Sequence, residues 1–382
     1  MRQNIEITES MPLLDEQGNL TKAGYAKHLL PIYDKSMAKG GKTRLKEWDY
    51  YYIGNDRFGV ALTIADNSYM GLDSFSFLSF DGKGSPFGSG KNLGAPWEIT
   101  RSPMRIFPML KTGLPETSAE GVTEISGKGY FLKFEVTPGE LGSKTDAESS
   151  HRGTTRHLSG HIDDFRGKEA LDLDIMLLEE PDESMVICTP FDKEAHFYFN
   201  QKINCMPAKG WVQIGTDRYE LNPDTSMGLL DWGRGVWTYH NTWYWGSASG
   251  RLEDGSDFGW NIGYGFGDTS AASENMLFYR GKAHKLSEVT FNIPMKRGGV
   301  GLGTELDTED YTKPWTFTSD DGRFEMDFVP VIDRASCTDV KLIKSDQHQV
   351  FGKFTGKAVL DDGSVIEVKD FMGFAEKVEN KW

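Results

Sequence analysis

The most distinctive segment of the chain is LDWGRGVWTYHNTWYWGSASG, residues 230–250. It contains four tryptophans, two tyrosines, one histidine and an Asp/Arg pair. Within it, every second position from 237 to 245 is occupied by Trp237, Tyr239, Asn241, Trp243 and Trp245. A period of two is typical of a β-strand. We therefore predict a strand with one aromatic face. Such a face suits either a packed core or a pocket for a flat, ring-shaped ligand.

The rest of the chain carries the same β signature. The 43 glycines and 12% aromatic residues indicate many turns and strands. Alternating Leu171, Leu173, Ile175 and Leu177 predict a half-buried strand. About twenty such segments, with a turn signal roughly every ten residues, favour an all-β fold of antiparallel sandwiches or barrels. The exception is Lys22 to Leu30, where Thr21 as N-cap and Pro31 as a stop predict a short helix.

At 382 residues the chain exceeds the usual size of one domain. We place a soft boundary near residue 225, because a turn at Asn222-Pro223-Asp224 precedes the aromatic segment. The predicted architecture is two tandem antiparallel barrels, residues 1–224 with long loops and residues 225–382.

Charge and cysteine content limit the classes of partner. The formal net charge is −15 and the basic residues are dispersed, which disfavours nucleic acid. The three cysteines are widely spaced, so we interpret them as free thiols in a reducing compartment. No signal peptide and no run of eighteen apolar residues is evident, so we expect a cytoplasmic protein without stable membrane insertion. The oligomeric state stays open.

The aromatic segment contains the first candidate acid and base. Asp231 is a candidate proton donor, since aromatic surroundings raise the pKa of a carboxyl group. The alternative is a structural ion pair between Asp231 and Arg234 that fixes a turn. His240 is a candidate catalytic base, although its parity is opposite to that of Trp243, so it points away from the aromatic face unless a bulge intervenes.

A second candidate region is Gly259 to Asp268. Its alternating glycines resemble a dinucleotide loop only superficially, because no strand–loop–helix unit surrounds them. Glycine in a strand instead allows a ring or ligand to approach closely. Asp268 and Glu274 are candidate acid/base residues. The candidate ligand-binding residues are Arg234, Trp237, Tyr239, Trp243, Trp245, Asn261 and Tyr264.

No cofactor is expected. The chain lacks the Gly-x-Ser-x-Gly, His-Glu-x-x-His, Walker and Cys-x-x-Cys motifs, which disfavours the common hydrolase, zinc protease and nucleotidase classes. The polar segment Gly139 to Arg166 contains His151, His157 and His161. These raise a metal hypothesis, but a solvated loop is the simpler interpretation, and no metal site is predicted.

Several motifs resemble one family. They are Asp231-Trp232-Gly233-Arg234-Gly235-Val236-Trp237, Glu274-Asn275 with His284-Lys285-Leu286, His348 to Phe354, Leu14 to Gly18 and Gly373-Phe374-Ala375-Glu376. Together they resemble the uncharacterised family called domain of unknown function 2804, nearly end to end. That family is similar to calycins, which form lipocalin-like barrels, and more distantly to two-barrel proteins such as carotenoid 1,2-hydratases. The resemblance implies a tandem barrel with an apolar cavity.

Three functional hypotheses follow. The first is a cofactor-independent hydratase, isomerase or cyclase that protonates a hydrophobic, terpenoid-like molecule in an aromatic cavity, where tryptophan rings stabilise positive charge. The second is a carrier or sensor of a hydrophobic ligand. The third is a carbohydrate-active enzyme with a carboxylate pair and tryptophan stacking. In each case the partner is a small molecule.

Overall fold

The computed structural model describes residues 3–41, 43–86, 94–106, 113–139, 153–296, 308–340 and 343–381. These residues form an all-β structure in which a 14-stranded and a 9-stranded sheet contain most of the strands. Both sheets curl into barrel-like shapes, so the predicted all-β, two-barrel architecture is confirmed. Among the described residues, none of the helices has the length and apolar character needed to cross a membrane.

The described residues form sixteen strands and a 3-10 turn up to Val236, and eleven strands from His240 onward. The first part contains β1 (Met11–Pro12), β2 (Gly24–Ala26), β3 (Pro31–Ile32), the 3-10 turn Lys35–Met37, β4 (Leu45–Gly54), β5 (Phe58–Asp66), β6 (Met70–Ser79), β7 (Trp97–Arg101), β8 (Met104–Ile106), β9 (Gly121–Gly127), β10 (Tyr130–Thr137), β11 (Thr155–Arg166), β12 (Glu169–Leu177), β13 (Met185–Pro190), β14 (Phe197–Ile214), β15 (Asp217–Leu221) and β16 (Met227–Val236). The second part contains β17 (His240–Arg251), β18 (Asp257–Tyr264), β19 (Met276–Tyr279), β20 (Lys282–Lys285), β21 (Val289–Asn292), β22 (Met295–Lys296), β23 (Thr308–Glu309), β24 (Trp315–Ser319), β25 (Phe324–Val340), β26 (Ile343–Val359) and β27 (Val365–Lys381).

The first sheet follows the order β7-β6-β5-β4-β16-β14-β12-β11-β10-β9. Its paired strands are antiparallel, and one face encloses an apolar core. The alternating residues Leu171, Leu173, Ile175 and Leu177 lie on β12 and are all buried in that core, so this sequence prediction is confirmed.

The second sheet follows the order β20-β19-β18-β17-β27-β26-β25-β24-β21. Its core contains Trp260, Phe317, Phe328 and Phe354 among other rings. Successive side chains of a strand point to opposite faces, so the central strands of each sheet present a second face away from their own core.

These second faces meet each other. Two further apolar clusters form there, and both combine residues of β4, β14 or β16 with residues of β17 to β27. One cluster includes Tyr198, Trp237 and Phe266, and the other includes Tyr50, Trp245 and Phe374. The two barrels are therefore joined by a packed, aromatic interface, and this interface holds the candidate site.

The predicted N-terminal helix is wrong. Gly24–Ala26 is instead the strand β2, which pairs with β13 through Tyr25 and Ile187. Gly24 has a φ of +151°, and a Cβ there would lie 2.4 Å from the carbonyl oxygen of Ile5. Helical backbone is incompatible with that conformation. The backbone of Tyr25 is satisfied by the N-terminal segment instead, since its N–H donates to the Ile5 carbonyl at 2.9 Å and its carbonyl accepts from the Ile7 N–H at 2.7 Å.

The sheet pairing is the basis for proposing a boundary between the two barrels that lies later than residue 225. β16 begins at Met227 and pairs with β4 and β14 of the first sheet, whereas β17 begins at His240 and pairs with β18 and β27 of the second. The aromatic segment is thus two strands in two sheets and not one continuous strand. We propose residues 237–239 as the boundary between the domains.

Candidate functional site

Strand register brings polar side chains of both sheets into one buried layer. In the first sheet, Asp231 of β16 lies opposite Tyr50 of β4 and Lys202 of β14. In the second sheet, Trp245 of β17 lies opposite Glu376 of β27. All five side chains belong to the faces that meet between the barrels, and each residue is less than a tenth exposed.

Asp231 is held by three donors on a single oxygen. The Lys202 ammonium lies 2.8 Å from Oδ1, and Asn200 Nδ2 and Trp48 Nε1 donate to the same atom at 2.6 Å and 3.2 Å. This donor set suits a charged carboxylate. Lys202 also lies 4.0 Å from the centre of the Trp245 ring, a cation–π contact that links the two sheets.

Glu376 has a different environment. Its carboxyl group accepts hydrogen bonds from Trp243 Nε1 at 2.9 Å and from Gln349 Nε2 at 3.0 Å, without a directly paired cation among these contacts. Burial raises the pKa of Glu376 to about 7, against smaller lowering effects of the Trp243 bond, Arg334 and Lys202. A carboxyl group with this pKa is partly protonated at neutral pH and can donate a proton.

Glu274 is the third buried carboxyl group. Tyr198 donates to its Oε2 at 3.4 Å, and Asn261 Nδ2 donates to its backbone oxygen at 2.7 Å. Burial raises the pKa of Glu274, and the charge of Asp231 raises it further while Lys202 lowers it. Burial, with help from Glu274 and Asp231, also holds the pKa of Tyr198 well above its ordinary value. Asp231, Glu274 and Glu376 thus form an electrostatically coupled set, which we call the carboxylate cluster.

An aromatic wall covers one side of the carboxylate cluster. Trp48 and Tyr198 stack with ring centres 6.2 Å apart, and Trp237 meets the edges of Trp48 and Trp243 at 5.3 Å and 5.9 Å. Phe266 packs against Tyr198, Trp237 and Trp243. Trp48 and Trp243, which donate to Asp231 and Glu376, are only partly buried, so the aromatic wall extends to the protein surface.

Four of the residues predicted to bind ligand, Trp237, Trp243, Trp245 and Asn261, lie at this interface. Trp245 Nε1 donates to Asn261 Oδ1 at 2.6 Å, which fixes both side chains. Among the predicted acids and bases, Asp231 and Glu274 belong to the carboxylate cluster.

Arg234 does not pair with Asp231. The two residues differ by an odd number of positions on β16, so their side chains occupy opposite faces of the sheet. Arg234 is completely buried on the core side of the first barrel, where it bonds to Asp49 at 3.0 Å and stacks 4.2 Å from the Trp232 ring. The predicted Asp231–Arg234 ion pair is therefore wrong.

The other candidates lie outside the carboxylate cluster. Asp268 is exposed, and hydrogen bonds from the backbone and side chain of Ser270 lower its pKa, which is the opposite of what a proton donor needs. His240 is half-exposed and pairs with Glu379 at 3.0 Å. Its side chain points away from the aromatic face, as its position in the strand predicts. Tyr239 is 44% exposed in the turn after β16, and Tyr264 stacks on Tyr244 against the core of the second barrel.

Sequence reasoning missed several members of the site. Lys202, Asn200 and Tyr198 alternate on β14, and Trp48 and Tyr50 alternate on β4. Period two predicts that each set shares a face, but nothing local shows that this face meets the other barrel. Glu376 was part of the motif Gly373-Phe374-Ala375-Glu376, yet a single acidic residue in a strand gave no reason to assign a role.

Two of the three histidines in the metal hypothesis contact carboxylate groups instead. His157 contacts Asp174 at 3.2 Å, and His161 contacts Asp172 at 2.7 Å and Asp163 at 3.1 Å. His151 lies outside the described residues. In the part of the chain that the structure describes, no group of three or more His, Cys, Asp or Glu residues is arranged to hold a metal ion.

Comparison with known proteins agrees with the sequence resemblance. The model of the family described as "Domain of unknown function (DUF2804)" matches residues 4–382. The chain belongs to this family. A comparison with curated protein sequences gives no match.

Similar solved structures have low sequence identity. Kievitone hydratase from Nectria haematococca is 10% identical, with 97% of this chain and 98% of that chain covered and a TM-score of 0.45. CghA is also 10% identical, with 98% and 94% covered and a TM-score of 0.41. The chemistry of the DUF2804 chain is therefore interpreted from its own site.

Proposed function

We propose that this DUF2804 protein is a cofactor-independent enzyme that protonates a hydrophobic small molecule between its barrels, as a hydratase or an isomerase or cyclase does. The observation that carries the proposal is Glu376, a buried carboxyl group with a pKa of about 7 that is bonded to the Trp243 indole and the Gln349 amide. General acids work best when their pKa lies near the working pH.

Hydration of a carbon–carbon double bond illustrates the proposed roles of Glu376 and Asp231. The Glu376 proton is transferred to one alkene carbon, and positive charge develops on the other. Tryptophan faces stabilise this charge by cation–π attraction. Water then adds to the cation and loses a proton to the Asp231 carboxylate. Asp231 releases this proton to solvent and Glu376 takes one up, which restores the enzyme, so that the net change is the addition of one water molecule.

Asp231 is suited to the second role by its hydrogen bonds. Lys202, Asn200 and Trp48 all bind Oδ1, which fixes the orientation of the carboxylate. We assign the proton-accepting role to Oδ2, the oxygen that none of these three donors contacts. Glu376 and Asp231 thus form an acid/base pair whose members differ in their partners.

The test uses isotopes, because the substrate is unknown. The protein is incubated with a small-molecule extract in oxygen-18 water and, separately, in deuterium oxide, and products are analysed by mass spectrometry. A hydratase adds one labelled oxygen, and an isomerase or protonating cyclase adds one deuterium. We expect Glu376→Gln to slow product formation by about 10²- to 10⁴-fold, the usual contribution of a general acid.

Glu379→Gln is the matched control, since Glu379 lies on the same strand but forms surface ion pairs with Lys344 and His240. It should retain wild-type activity. Equal activity of Glu376→Gln and wild type would contradict the acid role. A ligand that is retained and recovered chemically unchanged would instead support the carrier hypothesis.

A further inference from the structure

A cleft opens between the barrels on the side away from the aromatic wall. Its volume is about 250 Å³, and both sheets contribute to its lining. The first sheet supplies Tyr52, Met227 and Leu229, and the second supplies Ser247, Ser249, Phe371, Met372 and Phe374. The proposed function does not yet assign a role to this cleft.

Strand register relates the cleft to the carboxylate cluster. Leu229 lies opposite Tyr52, two residues along the strands from the pair Asp231 and Tyr50. Phe374 lies opposite Ser247, two residues from the pair Glu376 and Trp245. Residues two apart point the same way and are separated by about 7 Å. The cleft therefore continues the same interface, one layer of side chains from the carboxyl groups.

Backbone irregularities occur on both walls of the cleft. Cys205 has a φ of +61° within a register shift between β14 and β16, and its N–H donates to the cleft residue Ser249 at 3.1 Å. Asp370 has a φ of +52° beside a second register shift, between β26 and β27. Left-handed backbone at residues other than glycine is unfavourable and is retained where the surrounding structure requires it. Bulges of this kind bend strands and re-aim their side chains.

The chemistry of the lining selects the ligand. The inner part is apolar and aromatic, with Tyr52, Leu229 and Phe374. The Ser247 hydroxyl is buried and already donates to the Trp260 carbonyl at 2.9 Å, so Ser249, whose Oγ accepts from the Cys205 N–H at 3.1 Å, is the polar position of the lining that can meet a ligand hydroxyl. At the rim, Asp56, Asp224 and Asp370 face the cations Lys369 and Arg251, and Arg251 is already paired with Asp257 at 2.7 Å. Carboxylates therefore outnumber available cations, which disfavours anionic ligands.

We infer that this cleft binds the apolar body of the substrate, and that the substrate class is an uncharged ring compound bearing a hydroxyl group. The inference rests on the proposed function for the link to the carboxylate cluster. Ligand binding can be measured without catalysis, so the experiment can contradict the binding inference and the proposed catalytic function separately.

The test measures binding of 2-naphthol, a neutral hydroxylated ring compound, by ligand-observed NMR and calorimetry on the full chain. We expect 2-naphthol to bind wild type and Glu376→Gln equally. Met372→Trp fills the cleft and should weaken binding at least tenfold. Met295→Trp, at a methionine 58% exposed elsewhere on the surface, should leave the affinity unchanged. Naphthalene-2-sulfonate, the anionic analogue, should bind at least tenfold more weakly than 2-naphthol.

Thr225→Trp provides a second obstruction that is compatible with folding, because Thr225 is an exposed residue of the rim. It too should weaken binding. The inference is overturned if wild type does not bind 2-naphthol, if both obstructing variants bind as wild type does, or if the sulfonate binds equally well. If 2-naphthol binds and Glu376→Gln is fully active, the proposed catalytic role of Glu376 is overturned, but the inferred binding site is not.

Discussion

At the scale of single residues, Glu376 and Asp231 lie in one buried layer but have different hydrogen-bond partners. Asp231 is compensated by the Lys202 ammonium at 2.8 Å, whereas the bonds to Glu376 come from neutral indole and amide groups. A buried carboxyl group without a directly paired cation keeps its proton more tightly. This difference in partners is the basis for proposing Glu376 as the acid and Asp231 as the base.

The raised pKa of Glu376 predicts a pH-dependent stability. Its pKa is about 7 in the folded protein against 4.5 for the ordinary value, so the folded state binds the proton more tightly than the unfolded state. The resulting stabilisation is complete below pH 4.5 and is lost as the pH rises through about 7. It amounts to on the order of 3 kcal/mol.

Chemical denaturation of wild type and Glu376→Gln at pH 5 and pH 8 checks this. Glutamine imitates the protonated carboxyl group, so the variant lacks this dependence. The free energy of unfolding of wild type, relative to the variant, should be larger at the lower pH by that amount. A difference that does not change with pH would show that the carboxyl group titrates normally.

Lys202 should be essential for the stability of the interface. Lys202→Met keeps an apolar stem over the Trp245 ring but leaves Asp231 buried without its cation. Removing one partner of a buried ion pair costs on the order of 3–5 kcal/mol. Urea denaturation should show this loss, and the double variant Lys202→Met/Asp231→Leu should recover part of it. Lys209→Met, at an exposed position on the same strand, should change stability by less than about 0.5 kcal/mol.

At the scale of elements, glycine at position 233 of β16 allows Trp48 of β4 to reach Asp231. A Cβ on Gly233 would lie 2.0 Å from the Trp48 ring. Gly233→Ala should therefore displace the indole from Asp231 and destabilise the protein by about 1–3 kcal/mol, the usual cost of overpacking. Thermal unfolding measures the effect. Gly113→Ala, where a Cβ meets no atom of the described residues within 4 Å, should be nearly neutral, and equal Tm values for the two variants would contradict the account.

The strand β17 shows what period two can and cannot predict. Its alternation correctly indicated a strand with Trp243 and Trp245 on one face. That face packs against the other barrel and does not line a barrel interior, where Tyr244 lies instead. The alternation of residue types gives the relative orientation of side chains along a strand. Which part of the protein each face packs against depends on contacts between residues distant in sequence.

At the scale of the whole molecule, the sequence was sufficient for the fold class and the family, because turn signals and alternation recur along the chain. The local sequence gives no reason to reject a helix at Lys22 to Leu30. Only the pairing of β2 with β13 and the contact of Gly24 with Ile5 exclude it. The carboxylate cluster was found in part. Asp231 and Glu274 were expected, while Lys202 and Glu376 join them through the packing of the two sheets.

The central claim is that the interface between the barrels holds a carboxyl group protonated near neutral pH. The most direct test is a carbon-13 NMR titration of glutamate side-chain carboxyl groups, with the Glu376 resonance assigned by its loss in Glu376→Gln. The account predicts a titration midpoint of about 7 for this resonance. A midpoint near the ordinary value of 4.5 would contradict it and remove the proposed proton donor.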